Sequence, residues 1–595
     1  MGIASITALG VACGSSPIAS TGAGVGGATT SGHGGAGGAA TTGQGGAGGA
    51  AEPDVLSVIF DPTGIGKVEL DMSPDQISVL SADPEAEQYV HGDFRYTSPS
   101  GHASWSFKDV GIRYKGNTSL DVKLGKLPWK VKFNNFVLGQ KFGGLKKIGF
   151  GTEYGDPTFV RESLAYATAR AAGIPAPRTQ YVRILVNGVD RGLYLLTEEI
   201  DDVFLASHFP DGTGNLYKVT RGPLLYWGDD PEDYQGRDGS YAYDEGMEKN
   251  PDFTDLINLT KTFTQSPDEA LPAALSPIFD VEGWLDVLAV DTLQTNLDAP
   301  AYSANNYYLF HDPQDGRFRV LSWDMDSSFA AFPPTATPKQ KAGLDIHNPK
   351  LTDDPRPLID RILGNPTWRK GWLDRLALLN TTVFDPKKLE ALVRQTWALI
   401  EPEMKTDPIL IYGYAAAVTG LDAEVDASDP VRRYPEPFPG LVPFLYERAA
   451  SVDAQLESGS APWPHSEPYL PVDITLEAKV DVPAPPGDLY VYVQGHDVSG
   501  TTQTFLVRAK RNDAHVAFNT VVSLPSSSTE VTVAAFLDTG ADSWIDPDVD
   551  LWGSITIALP GGPAITGQIE GKVHIDTPWS GAGIWASKFG APTGL

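Results

Sequence analysis

The sequence predicts an α+β protein of two lobes followed by an all-β domain. Strand patterns with one good helix among them dominate to about residue 200, and helical patterns with one β-hairpin dominate from about 250 to 465. From about residue 466 on, only short strands between turn signals remain. A chain of 595 residues exceeds what one core usually organises. Hydrophobic content of 41% with 13 Trp is enough for true cores in most of it.

Residues 1–13 read as the remnant of an export signal. The run "ITALGVACGSSP" places small residues before Cys13 and Gly-Ser after it, the pattern of a bacterial lipoprotein leader with Cys13 lipidated. A basic region is missing before it, which would put the true start upstream; the competing reading is a chance cysteine. Residues 14–52 repeat "GGAGGA" and can bury almost nothing, so they read as a flexible tether. No later stretch reaches the roughly 18 apolar residues of a membrane-crossing helix. With Cys13 the single cysteine, the body of the chain has no disulfide, thiolate metal site or Cys nucleophile.

Residues 53–465 form the mixed region. "VLSVIFD" and "WSFKDVGIRYKG" read as strands, "NTSLDVKLGKL" as a loop, and the alternation of "PWKVKFNNF" as another strand. "DPTFVRESLAYATARAAG" is a helix, capped by Asp156 or Thr158, with Leu164, Ala167 and Ala171 at helical spacing and Gly173 as its stop. "TQYVRILVNGVDRGLYLLTEEID" is two strands around the turn "NGVD". "FDVEGWLDVLAVDTLQT", "RKGWLDRLALLNTTV" and "PKKLEALVRQTWALIEPEM" are helices, and "NNYYLFHDPQDGRFRVLSWD" is a hairpin between them. Residues 466–595 read as a β-sandwich. Its loop gathers Asp538, Asp542, Asp546, Asp548 and Asp550, hard oxygen ligands suited to Ca²⁺, although the spacing is not that of an EF-hand and acidic turns are common.

Asp and Glu outnumber Lys and Arg 75 to 45, a net charge of −30. This argues against nucleic acid as partner and requires any phosphate chemistry to use a local basic pocket or a bound cation. "GIRYKGNTS" sets Arg113, Lys115, Asn117, Thr118 and Ser119 around Gly116, a turn rich in donors, without the pattern of a P-loop. In "PWKVKF" the two-residue period puts Lys130 and Lys132 on one face, which is either a solvated face or a basic pocket. Glu162, in the first turn of the following helix, is placed to pair with a strand lysine, as in nucleotide kinases. Further on, Asp298, Asn305 and Asp324 follow one another in the order of a catalytic base and two Mg²⁺ ligands. Asp326 is a second ligand or a turn cap. No pair among the ten His has metal spacing.

Taken together, "VGIRYKGNTS", "KLPWKVKFN", "RESLAYATARAAGIPAPRTQYVRILVNGVDRGLYLLTEEID", "GNLYK", "NNYYLF" and "WDMD" resemble the spore coat protein H family of atypical protein kinases, over about residues 57–400. The resemblance implies a two-lobed protein-kinase-like fold, ATP and Mg²⁺ (or Mn²⁺) as cofactors, and phosphoryl transfer to Ser or Thr of a coat or cell-surface protein. By motif, Asp298 is then the catalytic base and Asp324 the metal ligand, with Lys130 or Lys132 on the phosphates and Glu198 where strand meets hinge. The segment "APAYSA" departs from the family pattern and leaves Asp291, in "DTLQTN", as the alternative base. Two further readings compete with an exported kinase. One is a kinase-like surface adhesion or coat-organising scaffold without turnover, the other a carbohydrate-binding envelope protein.

Overall fold

The computed structural model describes residues 55–459 except 117–118, 121, 220–221, 227–228, 235–240, 246–252, 332–335, 351–355 and 427–436, together with strand segments between 469 and 585. Cys13, the 14–52 tether and Asp542, Asp546, Asp548 and Asp550 lie outside the described residues.

The first part is a closed barrel. Its strands are β1 (Gly66–Asp71), β2 (Val90–Thr97), β3 (Ser104–Tyr114), β4 (Trp129–Lys132), β5 (Lys147–Gly151), β6 (Thr179–Val186) and β7 (Val189–Thr197). They pair in the order β1-β2-β3-β4-β5-β7-β6, and the ring closes through a parallel pair that runs Gly66–Leu70 beside Val182–Val186. The period of two sends Val68, Leu70, Val131, Ile148, Ile184 and Leu196 inward, all fully buried. Phe142 enters this core from the β4–β5 connection and meets Phe94, Tyr96, Trp105 and Phe133 at centroid distances of 5.1–5.5 Å.

The expected "NGVD" turn is the β6–β7 hairpin. Asn187 and Gly188 both take left-handed φ, +49° and +76°, which matches the twist of the flanking strands. The expected strand at "VLSVIFD" is instead the short helix α1 (Val55–Ile59). A five-residue helix is not stable alone; packing selects it, since Ile59 and Phe60 join the barrel core and the Tyr96 hydroxyl donates to the Ile59 carbonyl at 2.9 Å. Helix α2 (Pro74–Ala82) follows β1.

Helix α3 (Arg161–Ala171) is the helix expected from "RESLAYATARA". Of the two candidate caps, Asp156 does the work. Its carboxylate accepts the Val160 and Arg161 amides, both at 2.7 Å, and the Arg161 guanidinium at 2.5 Å. Gly173 ends the helix with φ +84° while Ile174 N–H donates back to Ala169 O.

The helical half contains α4 (Asp202–His208), α5 (Thr254–Gln265), α6 (Leu271–Leu275), α7 (Val281–Gln294), α8 (Pro300–Ser303), α9 (Pro338–Ala342), α10 (Pro357–Gly364), α11 (Pro366–Thr382), α12 (Pro386–Thr406), α13 (Gly413–Asp422) and α14 (Leu441–Ser458). Among them runs a sheet of β8 (Leu216–Val219), β9 (Tyr241–Glu245), β10 (Tyr307–Asp312) and β11 (Arg317–Ser322), in the order β11-β10-β8-β9. Helix α7 is buried almost all round, so it forms the axis of this core rather than a surface element. The core reaches across to Leu164, Ala165, Tyr166 and Ala169 on α3. One fully buried ion pair joins the halves, Lys126–Asp407 at 2.6 Å, and Arg161, itself paired with Asp156, crosses to the helical half by donating to Pro439 O.

The last strands are β12 (Tyr469–Val480), β13 (Asp488–Asp497), β14 (Thr502–Lys510), β15 (His515–Pro525), β16 (Ser528–Asp538), β17 (Trp544–Ile545), β18 (Leu551–Ala558), β19 (Gln568–Ile575), β20 (Thr577–Pro578) and β21 (Ile584–Trp585). They form sheets of order β15-β12-β19, β14-β13-β16-β18-β20 and β17-β21.

Candidate active site

The two acids that end the β10–β11 hairpin meet acids from the barrel. β11 delivers Asp324 into left-handed backbone (φ +53°), immediately before the single turn Met325–Ser327 that holds Asp326. The Asp324 amide donates to the Tyr166 hydroxyl at 3.0 Å, while its side chain is exposed. Asp298 lies in the turn after α7. Its carboxylate accepts Asn305 Nδ2 at 3.2 Å, Ser303 Oγ at 3.3 Å and Asn306 Nδ2 at 2.9 Å. Ala304 and Asn306 take left-handed φ to bring these donors in, and Asn306 O accepts the Trp323 amide, so the Asp298 turn and the Asp324 turn are joined. Non-glycine residues with positive φ at Asp324, Ala304 and Asn306 concentrate backbone strain at one place.

Glu153 and Glu162 complete the cluster. Burial, then Asp324, pushes the Glu162 carboxyl up to about 7 against the opposing pull of Lys115. Burial, then Asp324, Glu162 and Asp298, raises Asp326 well above the usual carboxylate range. Glu153 is raised by burial and then by Glu162, Asp156 and Asp326, and both its carboxylate oxygens are buried. Like charges this close cannot all ionise, so the cluster either holds protons or attracts a cation. Among the described residues no three His, Cys, Asp or Glu side chains are arranged to ligate one ion.

The basic residues divide into two groups, which corrects the pooling of Lys130 with Lys132. Lys130 Nζ lies 2.9 Å from Glu199 Oε2. Lys115 Nζ and Glu199 Oε1 each lie 2.8 Å from where a Cβ on Gly149 would sit, so a side chain there would push one or both ends aside. Burial alone would raise Glu199, but Lys130, Lys115 and Lys147 hold it well below the usual carboxylate range. Lys132, by contrast, lies 5.9 Å from the Tyr89 ring, and Arg113 packs on the same ring and pairs with Glu87 at 2.6 Å. The lysine that acts on Glu162 is Lys115, immediately after β3. Glu198 is fully buried and receives the Arg178 guanidinium on both oxygens, so Glu199 and not Glu198 turns to the lysines. Asn305, expected on a metal, spends its amide on Asp298. Asp291 is enclosed, with neither carboxylate oxygen partnered, and burial raises it well above its usual range.

Lys147, Glu199, Glu153 and Tyr166 are the residues that sequence reasoning left without roles. Tyr166 follows Glu162 by four, one helical turn on, which was the available signal. Trp323, half-buried, packs edge-on to Tyr308 with Lys115 Nζ 5.9 Å from its ring. It links the lysines to the turn that carries Asp324.

The Glu162 shift makes a pH prediction. Its ordinary value is 4.5 and its folded value about 7, so the unfolded chain loses this proton first as pH rises. The associated stability is full below about 4.5 and is lost as pH rises through about 7. Asp201, raised by burial from 3.8 to about 7, has the same sign. Glu162→Gln, which mimics the protonated form, should therefore match the metal-free wild type in thermal midpoint at about pH 4, below the ordinary value of 4.5. At pH 7.5 it should be more stable, by about 1–3 kcal/mol. A constant difference across that range would show that Glu162 does not titrate as described.

The profile of a family described as "CotH kinase protein" matches residues 112–434. The inner spore coat protein H of Bacillus subtilis (strain 168) is 24% identical over 316 residues, 50% of this chain and 79% of that protein. The invasin CotH7 of Rhizopus delemar is 24% identical over 270 residues, 42% of each chain. Two solved structures align weakly. The HipA–HipB–operator DNA complex of Shewanella oneidensis gives a TM-score of 0.24 at 14% identity, over 55% of this chain and 63% of that one. The Helicobacter pylori proinflammatory kinase CtkA gives 0.23 at 13%, over 52% and 94%. The chain thus spans less than two thirds of the invasin and of the matched chain in the HipA complex.

Proposed function

The chain belongs to the CotH kinase family, and from that premise we propose that it is an exported protein kinase that transfers a phosphoryl group from ATP to Ser or Thr of a surface or coat protein. One observation carries the reading. A cluster of three lysines around Glu199 and a cluster of carboxyls around Asp324 meet at Glu162 and Trp323. Phosphates and a divalent cation are the ligands such a pair of clusters would accept together.

In this reading Lys115 and Lys130 hold nucleotide phosphates. Glu199 keeps Lys130 extended, and Gly149 leaves the space in which they work. Asp324 and Asp326 would hold Mg²⁺ or Mn²⁺, which supplies charge neutralisation at the phosphates when bound. Mg²⁺ needs only one or two carboxylates besides water and phosphate, so the absence of a three-carboxylate cage among the described residues is compatible with this role. Asp298, whose two oxygens are aimed by Ser303, Asn305 and Asn306, takes the proton of the acceptor hydroxyl.

The relatives named for a spore coat and for invasion favour an acceptor at a cell or spore surface. Among the described residues no helix is long and apolar enough to cross a membrane. A lipid anchor on Cys13 and the 14–52 tether would then present the 53–465 kinase-like domain outside the cytoplasm, with residues 466–595 as a β-sandwich accessory domain. The test is incubation of the purified chain with γ-labelled ATP and Mg²⁺ or Mn²⁺. Label on Ser or Thr that disappears with EDTA is expected. An unlabelled chain that also fails to label surface-protein extracts would favour the catalytically silent scaffold.

A further inference from the structure

The carboxylate of Asp324 points outward from a backbone conformation that a non-glycine residue adopts only under constraint. Neither β11 nor the turn after it explains the constraint. Asp324 makes no side-chain cap to its own turn, and the pairing of β11 with β10 ends at Ser322. The contact that reaches it comes from the other half of the molecule. Tyr166, fully buried on α3, brings its hydroxyl oxygen to 3.0 Å from the Asp324 amide. The Glu162 carboxyl, one turn earlier on the helix, lies close enough to the same hydroxyl to feel its influence. Met325, the next residue, is fully buried in the same core as Tyr166. The phenol is thus held at both ends, by packing around the ring and by the hydrogen bond at the oxygen.

We propose that Tyr166 is a positioning residue, whose hydroxyl accepts the Asp324 amide and thereby holds the turn that presents the exposed Asp324 carboxylate. It rests on the reading of Asp324 as a metal ligand, and it adds to that reading a part played by helix α3. Tyr166 is fully buried, so removing its hydroxyl takes this acceptor from the Asp324 amide, and the loss falls on the residue whose direction matters. Because α3 also carries Glu162, which faces Lys115, one helix sets both the acidic and the basic side of the site. Displacement of α3 would loosen the Asp324 turn and the Glu162–Lys115 contact together.

The experiment uses the full chain as wild type, Tyr166→Phe and Asp324→Asn, with a fluorescent ATP analogue titrated at a series of Mn²⁺ concentrations and in EDTA. Tyr166→Phe keeps the ring and removes only the hydroxyl. It should raise the Mn²⁺ concentration for half-maximal nucleotide binding about tenfold and leave binding in EDTA unchanged. Amide exchange in the wild type supplies a second measurement that needs no variant. The Asp324 amide should exchange at least tenfold more slowly than in an unstructured peptide, and Tyr166→Phe should remove that protection without altering the barrel strands. If Asp324→Asn weakens Mn²⁺-dependent binding while Tyr166→Phe does not, the positioning role is overturned and the metal reading stands. If neither variant changes the Mn²⁺ dependence, both fall. An unprotected Asp324 amide in the wild type overturns the proposal by itself.

Discussion

Asp407→Ala is expected to destabilise the fold by about 3–5 kcal/mol, because it strands a buried cation. Lys126 and Asp407 are both fully enclosed, 2.6 Å apart. The same carboxylate accepts the Leu193 amide at 2.7 Å and the Ile409 amide at 2.8 Å. Lys126 in turn lies 4.9 Å from the Tyr194 ring and 5.3 Å from Phe159, and burial holds its ammonium below the usual lysine range. Removing Asp407 therefore leaves one charge and two backbone donors unsatisfied in a dry site. Lys126→Met leaves a buried carboxylate that still has its two amide donors, so it should cost less than Asp407→Ala. The double variant Lys126→Met with Asp407→Asn removes both charges and keeps an acceptor for the backbone, and it should recover at least half of the loss. Urea unfolding of the four chains measures this directly. Single variants within about 1 kcal/mol of wild type would mean that water reaches the pair.

The consequence goes beyond stability. Lys126 ends the segment that leaves β3 with Lys115, and Asp407 follows α12, so the pair fastens a connection of the barrel to the helical half. Gly192 sits against Asp407 with φ +84°, where any side chain would collide with the carboxylate and strain the backbone as well. Arg183 on β6 adds a more exposed tie to Glu403 at 2.5 Å. These ties lie on β6, β7 and the end of α12, while Arg161 to Pro439 O and Tyr166 to the Asp324 amide join the halves beside the acidic cluster.

Local chemistry made much of this legible in the sequence. Asn187-Gly188 demands a tight hairpin, Gly173 stops α3, and the β10–β11 hairpin running into "WDMD" exposes acids that a buried strand would not otherwise carry. What stayed hidden depends on contacts between distant residues. Closure of the barrel joins β1 to β6 across more than a hundred residues in parallel, which no local pattern announces. The two-residue period correctly puts Lys130 and Lys132 on one face. Their fates differ because the end of β7 brings Glu199 to the first, while Tyr89 lies against the second. Glu198 and Glu199 are neighbours with opposite directions, and hydropathy cannot choose between two identical residue types. Arg178, on the loop before β6, chooses. At "VLSVIFD" the β-branched, apolar run favours a strand, but packing against the barrel outweighs the local preference.

The acids at the end of β11 should respond to charge removal with opposite effects on stability and activity. Asp324→Asn takes one negative charge out of a cluster in which Asp324 raises both Glu162 and Asp326. Without metal, at pH 7, the variant should be as stable as the wild type or more so, since like-charge repulsion falls. Metal-dependent nucleotide binding should weaken and phosphoryl transfer should be lost, because the exposed carboxylate no longer faces the cation. Asp298→Asn works the other way. Its carboxylate accepts from Ser303, Asn305 and Asn306, and an amide in its place turns one acceptor into a donor that faces other donors. About 1 kcal/mol of stability should go. Nucleotide binding should stay, while turnover drops by about 10²–10⁴ because the base acts on the acceptor hydroxyl and not on ATP. Thermal midpoints in EDTA, nucleotide titrations with Mn²⁺ and labelling rates separate the two variants on three axes. If both label at the wild-type rate, neither acid takes part in transfer, and the clusters serve a scaffold instead.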